Sequence, residues 1–232
     1  MKINTIGLEA PVGFPTELYN QVHALLSLSN YSEGHPDAWR EWGGGWNAVA
    51  YRYIFCNEYS ESYVNSIEKY GTSPKPLERY IQEKSLFGFF MSGFSAIDCF
   101  CYALYAIANI IDPTNFTLAA DDDKKHITYS STLAKFRKFF PNEKITVTLE
   151  NIIGSSGFKD LLDIRTILAH RATPSRTFRL GGERDQQTSW GLEDLDEYTT
   201  VKRLQWLAEQ LTLLLGATND FTRLLPTVSQ KE

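Results

Sequence analysis

Cysteine is scarce. The chain has three in 232 residues, Cys56, Cys99 and Cys101, and no pair with the two-residue gap of a zinc ribbon. That excludes a disulfide scaffold and argues against a thiolate metal site, leaving free thiols in a reducing cytoplasm as the expectation. An excess of positive charge is also missing. Lys and Arg total 23 against 28 Asp and Glu, giving a net charge of -5 and a pI near 5.5. A uniformly basic nucleic-acid binder is excluded, although a local basic patch is not. Residues 1–13 hold one lysine and no apolar run, so no signal peptide is expected there. Gly43, Gly44 and Gly45 are not followed by Gly-Lys-Ser/Thr, so they form no phosphate loop. No nucleophile elbow, dinucleotide fingerprint or kinase element occurs. His23, His35 and His126 lie far apart without ligand spacing, so neither a metal nor a cofactor is expected.

What the chain does have is apolar and aromatic surface to bury. Hydrophobic residues make up 43%, charged residues 22% and aromatics 13%. Those proportions suit a folded domain with a large core. From Leu86 to Ile111 the only charge is Asp98. The run is long enough to span a bilayer. However, a mid-run carboxylate is costly in lipid, and no basic cluster flanks it. The expectation is a long central helix of a bundle, with no membrane partner.

The periodicity predicts helices throughout. Pro15 opens the first, carrying Leu18, Val22, Leu25 and Leu26 at helical spacing. Residues 30–45 read as a loop with the glycine triplet as a hinge or close approach. Helices follow over 46–70, stopped by Gly71, and over 77–111, stopped before Pro113. Asp121, Asp122 and Asp123 read as a solvated acidic loop. Further helices are expected at 129–139, 146–153, 158–171 and 193–225, with 172–192 polar and irregular. Residues 146–153 also suit a strand by composition, but nothing nearby offers a partner. Trp39, Trp42 and Trp46, with Tyr51 and Tyr53, suit either base stacking or a satellite core. The expected fold is a single all-α domain over 1–232.

The chemically informative stretch is Asp163-Ile-Arg-Thr-Ile-Leu-Ala-His170. On a helix at 100° per residue, Leu161, Ile164, Ile167 and Leu168 share the core face. Asp163, Thr166 and His170 form a polar stripe on the opposite face. Arg165 stands about 140° from His170, beside the apolar face.

Arg165-x4-His170 resembles the Arg-x4–6-His signature of the HEPN superfamily. The order of elements is similar too: long helices first, the motif helix late, one closing helix. The strict match covers six residues. The resemblance implies an all-α bundle, a homodimer and a metal-independent endoribonuclease, often of toxin or phage-defence systems. It implies that Arg165 and His170 are the catalytic pair and that two chains converge on one cleft. The family usually has Asn, Asp or His after the arginine; here Thr166 presents a hydroxyl one turn before His170.

The residue types suit that chemistry. Metal-free RNA cleavage needs a base for the 2′-hydroxyl and an acid for the leaving oxygen, and histidine serves either role. Arginine meets the charge on the transferring phosphate with a planar fork of donors. Since Arg165 and His170 diverge on one straight helix, a site using both needs a second chain or a long reach. Asp163 and Thr166 are the candidate orienting groups. Asp98, a carboxylate in an apolar helix, needs a donor, either Arg165 or another. Arg165, Arg171, Arg176, Arg179 and Arg184 are five of eleven arginines, opposed within 165–184 only by Glu183. Arg171, Arg176 and Arg179 are therefore candidate guides for an RNA backbone. On the structural alternative, His170 caps carbonyls, Arg165 forms an ion pair, and the downstream arginines pair with the acids at 193–197. The chain would then be a non-catalytic dimeric helical module that binds a partner protein or a nucleotide.

Overall fold

The computed structural model describes residues 1–27, 34–118, 124–170, 176–179, 187–190 and 193–226, with 177–179, 187–190 and 193–194 described by backbone alone. The protein is an all-α helical bundle with small antiparallel additions. A short hairpin, β1 (Lys2–Ile3) and β2 (Leu8–Glu9), precedes α1 (Thr16–Ser27). Two long helices follow, α2 (Pro36–Tyr70) and α3 (Pro76–Ile111). Then come α4 (Tyr129–Phe139), α5 (Lys144–Gly154) and α6 (Ser156–His170). A three-stranded sheet of β3 (Arg176–Arg179), β4 (Gln187–Trp190) and β5 (Glu193–Asp194) leads into α7 (Tyr198–Phe221). Asp121, Asp122 and Asp123 lie outside the described residues, as do 28–33 of the expected first loop.

The chain divides into two compact units. One comprises residues 1–51, 95–155 and 208–232. Its core is aromatic. Trp42 and Trp46 are each 1% exposed, and Tyr19 stacks on Trp46 with ring centroids 4.9 Å apart. Tyr19 also donates its hydroxyl to the Trp46 carbonyl at 2.9 Å. A second cluster gathers Phe116, Phe136, Phe140 and Phe221 at centroid distances of 5.1 to 5.5 Å. The other unit comprises 52–94 and 156–207. There Cys56, Phe89, Phe90, Phe94, Phe158, Leu161 and Leu207 are buried. Gly93 lets that core close, since a Cβ on it would stand 3.2 Å from the Cys56 sulfur.

Three expectations are corrected. Residues 36–45 are helical rather than a loop. Proline is favoured at the head of a helix, and Trp39, Trp42 and Trp46 fall on one helical stripe. A glycine inside a helix costs about 1 kcal/mol relative to alanine. Burial of a large aromatic side chain contributes roughly 2–3 kcal/mol, so Trp42 and Trp46 outweigh the triplet. Gly45 is needed in its own right, because a Cβ there would come within 3.1 Å of Ala103 in α3. Residues 172–192 are not wholly irregular, since β3 and β4 pair from Arg176↔Trp190 to Arg179↔Gln187. The last helix starts at Tyr198, not 193. Asp196 stops it from extending backward by accepting the Tyr198 N–H at 2.9 Å, while the Asp196 N–H donates to the Thr199 hydroxyl at 2.9 Å. By contrast, α4 and α5 occupy the expected segments, and residues 146–153 are helix rather than strand.

The apolar run forms α3, which is long and apolar enough by length and composition to cross a membrane. Of its most apolar stretch, 72% is buried inside the protein, which is the pattern of a core helix.

Candidate functional site

The motif lies on α6. Phe158 and Leu161 anchor this helix and are 1% and 2% exposed. Phe158 packs on Phe94 of α3 with centroids 6.0 Å apart. That contact fixes the helix rotation and brings Arg165, two turns further on, to the same phenyl ring. The Arg165 guanidinium carbon stands 5.1 Å from the Phe94 centroid. The side chain is half-buried, and its Nε is buried without a hydrogen-bond acceptor among the described residues. A buried donor left in that state costs about 1–3 kcal/mol, which a phosphate oxygen within reach would offset.

His170 is the last residue of α6 and is exposed. Asp163 is exposed and Thr166 half-buried. Helical geometry keeps these three on one stripe and turns Arg165 away from it, with a rise of about 7.5 Å between Arg165 and His170. The chain therefore gathers Asp163, Thr166 and His170 and sets Arg165 on a different face.

The remaining candidates divide. Asp98 has a donor: its Oδ1 accepts the backbone N–H of Tyr129 at 2.9 Å, at the head of α4. A carboxylate at a helix N-terminus meets both an unpaired N–H and the favourable end of the dipole. Asp98 thereby seats α4 in its unit. Arg176 is not a surface group. Its side chain is 0% exposed; Nε donates to Glu83 Oε1 at 2.7 Å and Nη1 to Gln82 Oε1 at 2.7 Å. Nη1 also reaches the Thr72 carbonyl at 3.2 Å. This arginine ties β3 to the start of α3 and offers nothing to an RNA backbone, because a count of charges along the sequence does not see burial. Arg179 pairs through its backbone with Gln187 in β4. Arg171 and Arg184 lie outside the described residues.

Sequence reasoning missed the surroundings of the other end of α6. Arg203 of α7 grips Asp160 with both ends of its fork, Nε to Oδ2 at 2.7 Å and Nη2 to Oδ1 at 3.1 Å. It also donates to the Thr199 carbonyl at 2.7 Å and lies over the Phe90 ring at 5.5 Å. Beside this pair runs a groove of about 520 Å³. Its signal in the sequence is the spacing Tyr198, Lys202, Trp206, four residues apart each time, which sets two aromatics and a cation on one helical stripe.

Of the three tryptophans of α2, two are closed to base stacking and Trp39 is half-buried. Trp42 and Trp46 are buried core, and His23 stacks on Trp42 at 5.4 Å. Among the described residues, no group of three or more His, Cys, Asp or Glu side chains is placed to hold a metal ion. Compared with family models, curated proteins and solved structures, the chain matches none.

Proposed function

We propose that this chain is a HEPN-like endoribonuclease that works without a metal, as a homodimer, in a toxin or defence setting. One observation carries the reading: both motif side chains keep a polar group that no described residue takes up. His170 is exposed at the end of α6, and Arg165 keeps a buried Nε without an acceptor among the described residues.

In this reading the RNA 2′-oxygen attacks the adjacent phosphorus and the bond to the 5′-oxygen breaks. The products are a 2′,3′-cyclic phosphate and a 5′-hydroxyl. Histidine removes the 2′ proton and supplies the proton taken by the leaving oxygen. The Arg165 fork meets the charge that builds on the phosphoryl oxygens. Asp163 and Thr166 lie on the His170 stripe and orient its ring. Because Arg165 faces away from that stripe, a working site combines Arg165 of one copy with His170 of another. Arg171 and Arg179 guide the strand.

The test is cleavage of a mixed RNA in EDTA. Wild type is expected to leave 2′,3′-cyclic ends, and His170→Ala to be slower by about 100-fold or more. Equal cleavage by both proteins removes His170 from the mechanism. No cleavage by folded wild type removes the ribonuclease reading.

A second reading has an observation of its own. Leu77, Tyr80 and Phe87 on α3 are 68%, 63% and 47% exposed and share one helical stripe. A non-catalytic module that docks a partner protein would keep such a face.

A further inference from the structure

The groove at the head of α6 has no part in the chemistry above, and its lining is unusual for solvated surface. Tyr198 is 51% exposed and Trp206 half-buried, with Leu161 beneath. The indole is held in place: it packs so closely on Gly157 that a Cβ there would stand 2.6 Å from its ring. Trp206 is thus a pre-set wall rather than a loose side chain. The charges of the groove are largely committed. Asp160 and Arg203 hold each other, and Asp196 is turned to the head of α7. Lys202 is exposed, with its ammonium 5.4 Å from the Tyr198 ring centroid. A flat aromatic wall, a cation beside it and about 520 Å³ of space suit a planar base attached to a phosphate.

Position adds to this. Gly157 and His170 stand at opposite ends of α6, about 20 Å apart along the axis. Extended single-stranded RNA covers that distance in a few nucleotides.

We infer that this groove is a stacking subsite for one nucleotide of single-stranded RNA, remote from the scissile bond on the same strand. Trp206 stacks the base, Tyr198 borders it, and Lys202 meets the adjoining phosphate. The identity of the strand rests on the ribonuclease reading, but binding is measurable without cleavage.

The experiment uses the full chain and a short labelled 2′-O-methyl oligoribonucleotide, which has no 2′-hydroxyl to attack. Fluorescence anisotropy gives its affinity. Tyr198→Ala combined with Lys202→Glu is expected to weaken binding at least tenfold, with the loss shrinking as salt rises. Both positions are exposed, so the fold tolerates the changes, and Trp206→Phe is expected to retain most of the affinity by preserving a stacking face. Unchanged affinity in the double variant overturns the subsite, as does absence of binding by wild type. A free nucleoside monophosphate that binds as tightly as the oligonucleotide also overturns it, because the groove then serves a small molecule and not a strand. Binding that depends on the groove, in a protein that cleaves nothing, keeps the subsite and removes only the ribonuclease.

Discussion

Two arginines eleven residues apart behave as different kinds of residue. Arg176 is fully buried and tied to Glu83 and Gln82, whereas Arg165 is half-buried, lies over Phe94 and has no ion pair among the described residues. Removing one partner of a buried ion pair leaves the other charge uncompensated, so Arg176→Ala is expected to cost about 3 kcal/mol or more of unfolding free energy. Arg165→Ala loses a cation–π contact and is expected to cost only about 1 kcal/mol. Urea titration of both variants checks the contrast. The cysteines divide in the same way. Burial pushes the thiols of Cys56 and Cys101 well above the usual range, and the charge of Asp98 adds to this at Cys101. In the native chain, a thiol reagent is expected to reach Cys99 alone, and all three in denaturant. At this scale the motif was legible in the sequence, because spacing alone puts Asp163, Thr166 and His170 on one stripe. The burial of Arg176 was not legible, because its partners lie 93 and 94 residues away.

The helices were legible where apolar spacing and end signals agree. Gly71 follows the end of α2 and Pro113 the end of α3. They were misread where a local signal lost to packing. The glycine triplet of α2 is the main case, since the indoles on either side of it hold the helix through residues that break helices in isolation. The strands β3 and β4 were missed because seven residues separate two short segments, which hides the pairing. The head of α2 is also secured by charge. Glu41 accepts from Tyr102 at 2.6 Å and pairs with Lys124 at 3.0 Å. Partial burial pushes its carboxyl up, but these two hydrogen bonds and the Lys124 charge outweigh that and leave it below the ordinary value of 4.5. A depressed folded-state pKa means stability that is present above pH 4.5 and lost as pH falls below it. Glu41→Gln is therefore expected to melt below wild type at pH 7, with the gap closing as pH falls through 4.5. A gap independent of pH would mean that the carboxylate charge at Glu41 contributes nothing.

At the scale of the whole molecule, composition and hydropathy were enough to give an all-α bundle. The division into two compact units was hidden, because three of its four boundaries, at 51/52, 94/95 and 207/208, fall inside α2, α3 and α7, where no proline or polar linker marks them, and only the fourth, at 155/156, falls between helices. In the proposed ribonuclease, Arg165 and His170, which diverge on α6, are expected to meet in one site from two copies. Coexpression of Arg165→Ala with His170→Ala tests this most directly. A mixed dimer then holds one site with both residues intact and one with neither. Half the dimers are mixed and half their sites are whole, so about a quarter of wild-type RNA cleavage is expected, from two variants that are each inactive alone. If the purified mixed dimer is folded and cleaves nothing, Arg165 and His170 do not work across two chains, and the account is contradicted.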